Sequence, residues 1–153
     1  QHGRKVSLIG WSLGGVYARE IAKLHPELVR QVITLGTPFA GHPKATNAYA
    51  LFRMLSGHRA DDPRLMEHLR EPPPVPFTSI YSRSDGVVHW QCSVQRHGRR
   101  YENIEVRASH IGLGFNPITL YAIADRLAQA EGRWRPFSRA GLHGVFFGQP
   151  QAD

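Results

Sequence analysis

Gly10-Trp11-Ser12-Leu13-Gly14 joins two stretches with opposite periodicities. Before it, Val6, Leu8 and Ile9 form a short apolar run ending on glycine, the pattern of a buried parallel strand. After it, Leu13, Val16, Tyr17, Ile21 and Leu24 recur at helical spacing until His25-Pro26 stops the pattern. The backbone must therefore pass from strand to helix at Ser12 itself. Such a turn strains its central residue and pushes the side chain outward. It also leaves no room for side chains two positions away, which predicts that Gly10 and Gly14 are both sterically required. Gly15 adds room for the helix to pass close to the sheet.

The same alternation continues along the chain. "QVITL" (Gln31 to Leu35) reads as a second strand closed by Gly36 and Pro38, "TSIYS" (Thr78 to Ser82) as a third, and "NIEVRA" (Asn103 to Ala108) as a fourth. A last helix opens at Asn116 with Pro117 in its first turn and runs to about Glu131, with Leu120, Ala124 and Leu127 on one face. Strands alternating with helices predict an α/β fold, a parallel sheet of about four strands flanked by helices. In such sheets chemistry gathers at the carboxyl ends of the strands. Ser12, Thr37, Asp85 and His110 each follow a strand directly and are expected on one side of the molecule.

A serine hydroxyl needs a base to become a nucleophile, and an imidazole needs an acid to fix its tautomer. On an elbow of this kind the partners follow in the order serine, acid, histidine. Asp85, in "YSRSDGVVHW", and His110, in "VRASHIGLGFNP", satisfy that order on two strand-end loops. The backbone N–H of Leu13 is the oxyanion donor that can be assigned, and Trp11, Thr37 and Phe39 are the candidate substrate contacts. Rival residues are less well placed. His89 would share a loop with Asp85, His97 lies in a basic loop, and His143 lies in a glycine-punctuated tail. Asp61, Asp62, Glu67 and Glu71 fall in the polar stretch before the third strand, and Asp125 lies inside the last helix. An idle serine in a glycine-rich turn is the bland alternative. A phosphate loop is disfavoured because no lysine follows the glycines. No metal-ligand spacing occurs, and no cofactor is implied.

At 153 residues the chain is one domain's worth, divided here into residues 1–132 as core and 133–153 as tail. Its one cysteine, Cys92, rules out an intrachain disulfide. A net charge of +7 admits an anionic partner, but "RHGRRY" (Arg96 to Tyr101), the densest basic cluster, lacks the interleaved aromatics of a single-strand binder. Nucleic acid is not the expected partner; a small ester or lipid is. No apolar run approaches the ~18–20 residues of a membrane span. The opening Gln1-His2-Gly3 carries no targeting pattern, so localisation stays open.

"VSLIGWSLGG", "VITLGTPFAG", "TSIYSRSDGVV" and "SHIGL" together resemble the α/β-hydrolases, especially the C-terminal half of small bacterial triacylglycerol lipases and esterases. The resemblance runs roughly from Lys5 to Leu127. It implies Ser12 as nucleophile, His110 as general base and then acid, Asp85 as orienting carboxylate, and hydrolysis of a carboxylic ester through an acyl-enzyme. Many of these lipases have histidine where Trp11 stands, which bears on pocket shape. The family also builds strands ahead of the nucleophile strand, and a loop after one of them gives a second oxyanion N–H. With those strands absent, the expectation is a partial fold and a catalyst slowed about 10²–10³-fold. The apolar edge of residues 5–10 would then invite self-association. A non-catalytic remnant acting as a binding module is the alternative reading.

Residues 40–75 are too long for a bare loop. Ala48, Leu51, Phe52 and Leu55 form one helical stripe, and Leu65, Met66 and Leu69 follow the capping pair Asp62-Pro63. The segment leaves the sheet on the Ser12 side, so it suits a lid or pocket wall as well as a packing helix. In the tail, Trp134, Phe137, Phe146 and Phe147 are expected to pack on the core.

Overall fold

The structure, a computed structural model, describes residues 3–40, 63–96, 98–140 and 143–147. The stripe Ala48, Leu51, Phe52 and Leu55, the acids Asp61 and Asp62, and His97 lie outside the described residues. Strand β1 (Val6–Trp11) runs through Ser12 into helix α1 (Leu13–Leu24), followed by β2 (Val29–Leu35). Helix α2 (Pro63–Arg70) leads to β3 (Phe77–Tyr81) and β4 (Tyr101–Glu105). Helix α3 (Pro117–Ala128) and the single turn α4 (His143–Phe146) complete the order. The strands form one parallel sheet in the order β1-β2-β3-β4.

Residue type decides strand position. β2 and β3, buried along nearly their whole length, are the inner strands, whereas β1 leaves Val6, Ile9 and Trp11 exposed at the sheet edge. Two apolar clusters cover the two faces. Ala18 and Ala22 of α1 pack on Val29, Val32 and Phe77; Ala122 of α3 packs with Ile33, Ile80 and Ile104 on the other. Phe137 and Phe147 of the tail join the second cluster. β4 begins two residues earlier than the apolar pattern predicts, because Tyr101 pairs with Phe77 and the Tyr101 ring packs edge-on against the Phe77 ring. The α3 helix stops at Ala128, short of Glu131.

Arg19 is the largest side chain fully enclosed, at 1% exposure. Its guanidinium lies over the Phe39 ring at 3.9 Å and the Phe77 ring at 4.6 Å, and donates to the carbonyls of Leu69 and Glu71 at the end of α2. In the basic stretch, Arg100 and Tyr101 donate to the carbonyls of Pro74 and Pro73, so part of that charge secures the proline segment "EPPPVP".

The crowding at the first crossover differs from the sequence expectation. A Cβ at Gly10 would lie 2.4 Å from the Gly14 carbonyl oxygen, and one at Gly15 would lie 2.0 Å from Thr37 Oγ1. A Cβ at Gly14 would meet nothing within 4 Å. The required pair is therefore Gly10 and Gly15, since α1 passes β1 and the end of β2 on its Gly15 side. Gly15→Ala should lower unfolding stability by about 1–3 kcal/mol, whereas Gly14→Ala should be neutral or stabilising by up to about 1 kcal/mol, both read by urea denaturation.

Candidate active site

Because all four strands are parallel, the residues that leave them emerge at one edge of the sheet. Ser12 is the hinge between β1 and α1. Its φ of 52° and ψ of −123° make it the one positive-φ residue other than glycine among the described residues. That backbone state costs about 1–3 kcal/mol and persists only where its surroundings enforce it. Here the Ser12 N–H donates to the Leu35 carbonyl at the end of β2 (2.8 Å), and the Gly15 N–H donates to the Ser12 carbonyl (3.1 Å). A serine ahead of a helix ordinarily caps it with its hydroxyl; Ser12 makes no such bond. Leu13 follows as the first residue of α1, where backbone amides have no partner within the helix.

Asp85 and His110 meet. Asp85 Oδ2 lies 2.7 Å from His110 Nδ1, with side chains 2% and 10% exposed. A carboxylate in this position accepts the Nδ1–H and leaves Nε2 with its lone pair. The other oxygen, Oδ1, accepts from the Val87 and Val88 amides (2.8 and 2.9 Å), which closes the loop on its own side chain. Gly36, just past β2, lies against the pair. A Cβ there would fall 2.9 Å from Asp85 Oδ2 and 3.2 Å from His110 Nδ1, and its φ of 50° suits glycine.

Two serines fasten the acid loop to the histidine loop. Ser82 Oγ accepts from the Ala108 amide (3.1 Å) and the Ser84 amide (3.2 Å), and Ser84 Oγ donates to the Ala108 carbonyl (3.2 Å). Asn116 caps α3 through its Oδ1 and donates from Nδ2 to the Arg107 carbonyl (2.9 Å). None of these three was singled out by sequence reasoning for this role; two serines within three residues of the acid and an N-cap asparagine were the available signals. Tyr81, at the end of β3, is no competing acid, since burial and then Glu105 push it up to about 12.

Trp11 links the serine side of the site to the histidine side. Its indole lies 5.8 Å from the His110 ring, centroid to centroid, and its Nε1–H donates to the His110 carbonyl (3.1 Å). Thr37 and Phe39 are packed into the interior instead of lining a substrate surface. Thr37 fills the space left by Gly15, and Phe39 is held between Arg19 and Phe77. Both are buried, and Gly36 just before them has a φ of 50°. Exposed instead are Ile111 and Phe115, on the loop after His110. Of the rival groups, His89 is exposed and stacked on Trp90, and Asp125 pairs with Arg126. Among the described residues no cluster of three or more His, Cys, Asp or Glu side chains is arranged to hold a metal, and no helix is long and apolar enough to cross a membrane.

No family model matches the sequence, and none of the curated proteins is similar to it. Solved structures are similar in fold. The chain resembles a monoacylglycerol lipase from Paleococcus ferrophilus at 17% identity and a TM-score of 0.57, over 80% of this chain and 68% of that one. An α/β superfamily hydrolase from Oenococcus oeni matches at 15% identity and 0.56, over 83% and 68%. The esterase domain of a Rhodothermus marinus protein matches at 21% and 0.54, over 79% and 58%. The match thus spans 58–68% of the length of these structures. Likeness at this level of identity speaks to architecture, and in architecture the chain is a partial α/β-hydrolase fold.

Proposed function

We propose that this chain is a serine ester hydrolase acting on hydrophobic carboxylic esters through an acyl-enzyme. The observation that carries the reading is the 2.7 Å Asp85–His110 pair, tied through the Trp11 indole to the strand that leads into a serine held at positive φ with its hydroxyl uncommitted to the helix. In the mechanism, His110 Nε2 takes the hydroxyl proton as Ser12 Oγ attacks the ester carbonyl carbon. Asp85 keeps the imidazolium oriented through Nδ1–H. The oxyanion meets the Leu13 amide at the positive end of the α1 dipole. Collapse breaks the C–O ester bond; the departing alcohol takes the proton from His110, and the acyl group stays on Ser12. Water then attacks, giving its proton to the same nitrogen, and Ser12 regains a proton as the carboxylic acid leaves.

The substrate class follows from the rim. Ile111 and Phe115 are exposed apolar side chains on the loop that carries His110, which favours an apolar acyl or alcohol group over a charged one. The lipase and esterase names among the similar structures point the same way. A fluorophosphonate probe should label the folded chain, and Ser12→Ala should abolish labelling. Asp85→Asn should slow it about 10⁴-fold. p-Nitrophenyl esters with longer acyl chains should be preferred to the acetate. A folded chain that takes up no label would overturn the reading in favour of a binding module.

The partner expected at β1 is another copy of the chain. Among the described residues β1 pairs only with β2, and it exposes Val6, Ile9 and Trp11 along its length. Sedimentation should show a mass that rises with concentration, and Ile9→Lys should return it to the monomer value. A wild-type chain that stays monomeric at high concentration would remove this proposal.

A further inference from the structure

The Trp11 side chain touches His110 and is not used by the reaction scheme. Trp11 is the residue immediately before the serine, and its indole N–H donates to the backbone carbonyl of His110, 99 positions away in sequence (3.1 Å). The two rings lie 5.8 Å apart with a 37° tilt. An indole nitrogen has one hydrogen and no acceptor capacity, so this bond uses all its polar function. On its other side Trp11 is fixed by β-pairing with Leu35, the residue whose carbonyl also holds the Ser12 amide.

Besides the bridges that fasten its loop to the acid loop, His110 itself is held at its ring and at its main chain. Asp85 fixes the ring at Nδ1, and the Trp11 bond fixes the main chain that carries the ring. Asp85 alone sets how the imidazole is turned; it does not set how far the imidazole stands from β1.

We propose that Trp11 is a positioning residue, whose indole N–H sets the distance between the Ser12 hydroxyl and the His110 imidazole. The proposal rests on the serine-hydrolase reading. A displacement of the base by a fraction of an ångström weakens proton transfer without changing what the pocket binds. The loss of one neutral hydrogen bond should therefore appear in the chemical step as a slowing of about three- to tenfold.

The test uses the full chain in two altered forms. Trp11→Phe keeps a ring and removes the donor; benzothienylalanine at position 11 replaces only the N–H, by sulfur. Both should lower the rate of fluorophosphonate labelling about three- to tenfold, with the same final stoichiometry as wild type. On p-nitrophenyl butyrate both should lower kcat and leave KM unchanged. Wild-type labelling rates in both forms would overturn the proposal while leaving the serine-hydrolase reading intact. A fall in final stoichiometry at an unchanged rate would also overturn it, because Trp11 would then serve folding alone. A rise in KM at constant kcat would make Trp11 a pocket wall instead. If the wild-type chain takes no label at Ser12, the hydrolase reading fails and this inference fails with it.

Discussion

Lack of space, more than any attraction, governs the first crossover. α1 can lie where it does only because Gly10 brings no side chain against the helix backbone and Gly15 brings none into the space that Thr37 fills. With strand and helix pressed so close, the connecting residue has no relaxed path between them. Ser12 takes the strain, about 1–3 kcal/mol of backbone energy, and its bond to the Leu35 carbonyl holds it there. The cost falls on the one residue whose hydroxyl is left out of helix capping. Close packing thereby presents a side chain that a looser turn would have turned back on the helix.

The opposite half of the site is assembled by attraction. Asp85 and His110 come from different loops, and what aligns those loops is a set of short polar bridges through Ser82, Ser84 and Asn116. Gly36 then allows β2 to approach the pair closely enough to shield it from water. Desolvation strengthens the acid–imidazole bond, and the two backbone amides on the far carboxylate oxygen satisfy what would otherwise be an enclosed unpaired group.

Much of this was legible before any coordinates. Period-two and period-3.6 patterns separated strands from helices, and parallel order alone implied that residues after β1, β3 and β4 would emerge together. Hidden from the sequence was everything decided by which way a side chain turns after its strand ends. Thr37 and Phe39 looked like surface residues at a strand terminus, yet both are buried, one against Gly15 and the other under Arg19. The need for Gly15 beside the sheet was visible in the sequence, whereas the open space at Gly14 shows only in the path of α1. The Trp11 bond joins positions far apart in sequence, so no local pattern could announce it. Arg19 read as one more scattered basic residue, although it shares a helix face with Gly15 and Ala22, a placement that hints at burial.

That enclosed arginine has a bearing on how the molecule can vary. Through the Phe39 ring it grips the chain just before residue 41, and through the Leu69 and Glu71 carbonyls it grips the chain again after α2. One guanidinium thereby staples both ends of the excursion between β2 and β3 to the same spot on α1. With its ends pinned, doubling the length of that excursion adds only about 0.6 kcal/mol of closure entropy. The interval between the two grips is therefore where the chain can gain, lose or exchange sequence at little cost to the sheet that the grips leave in place.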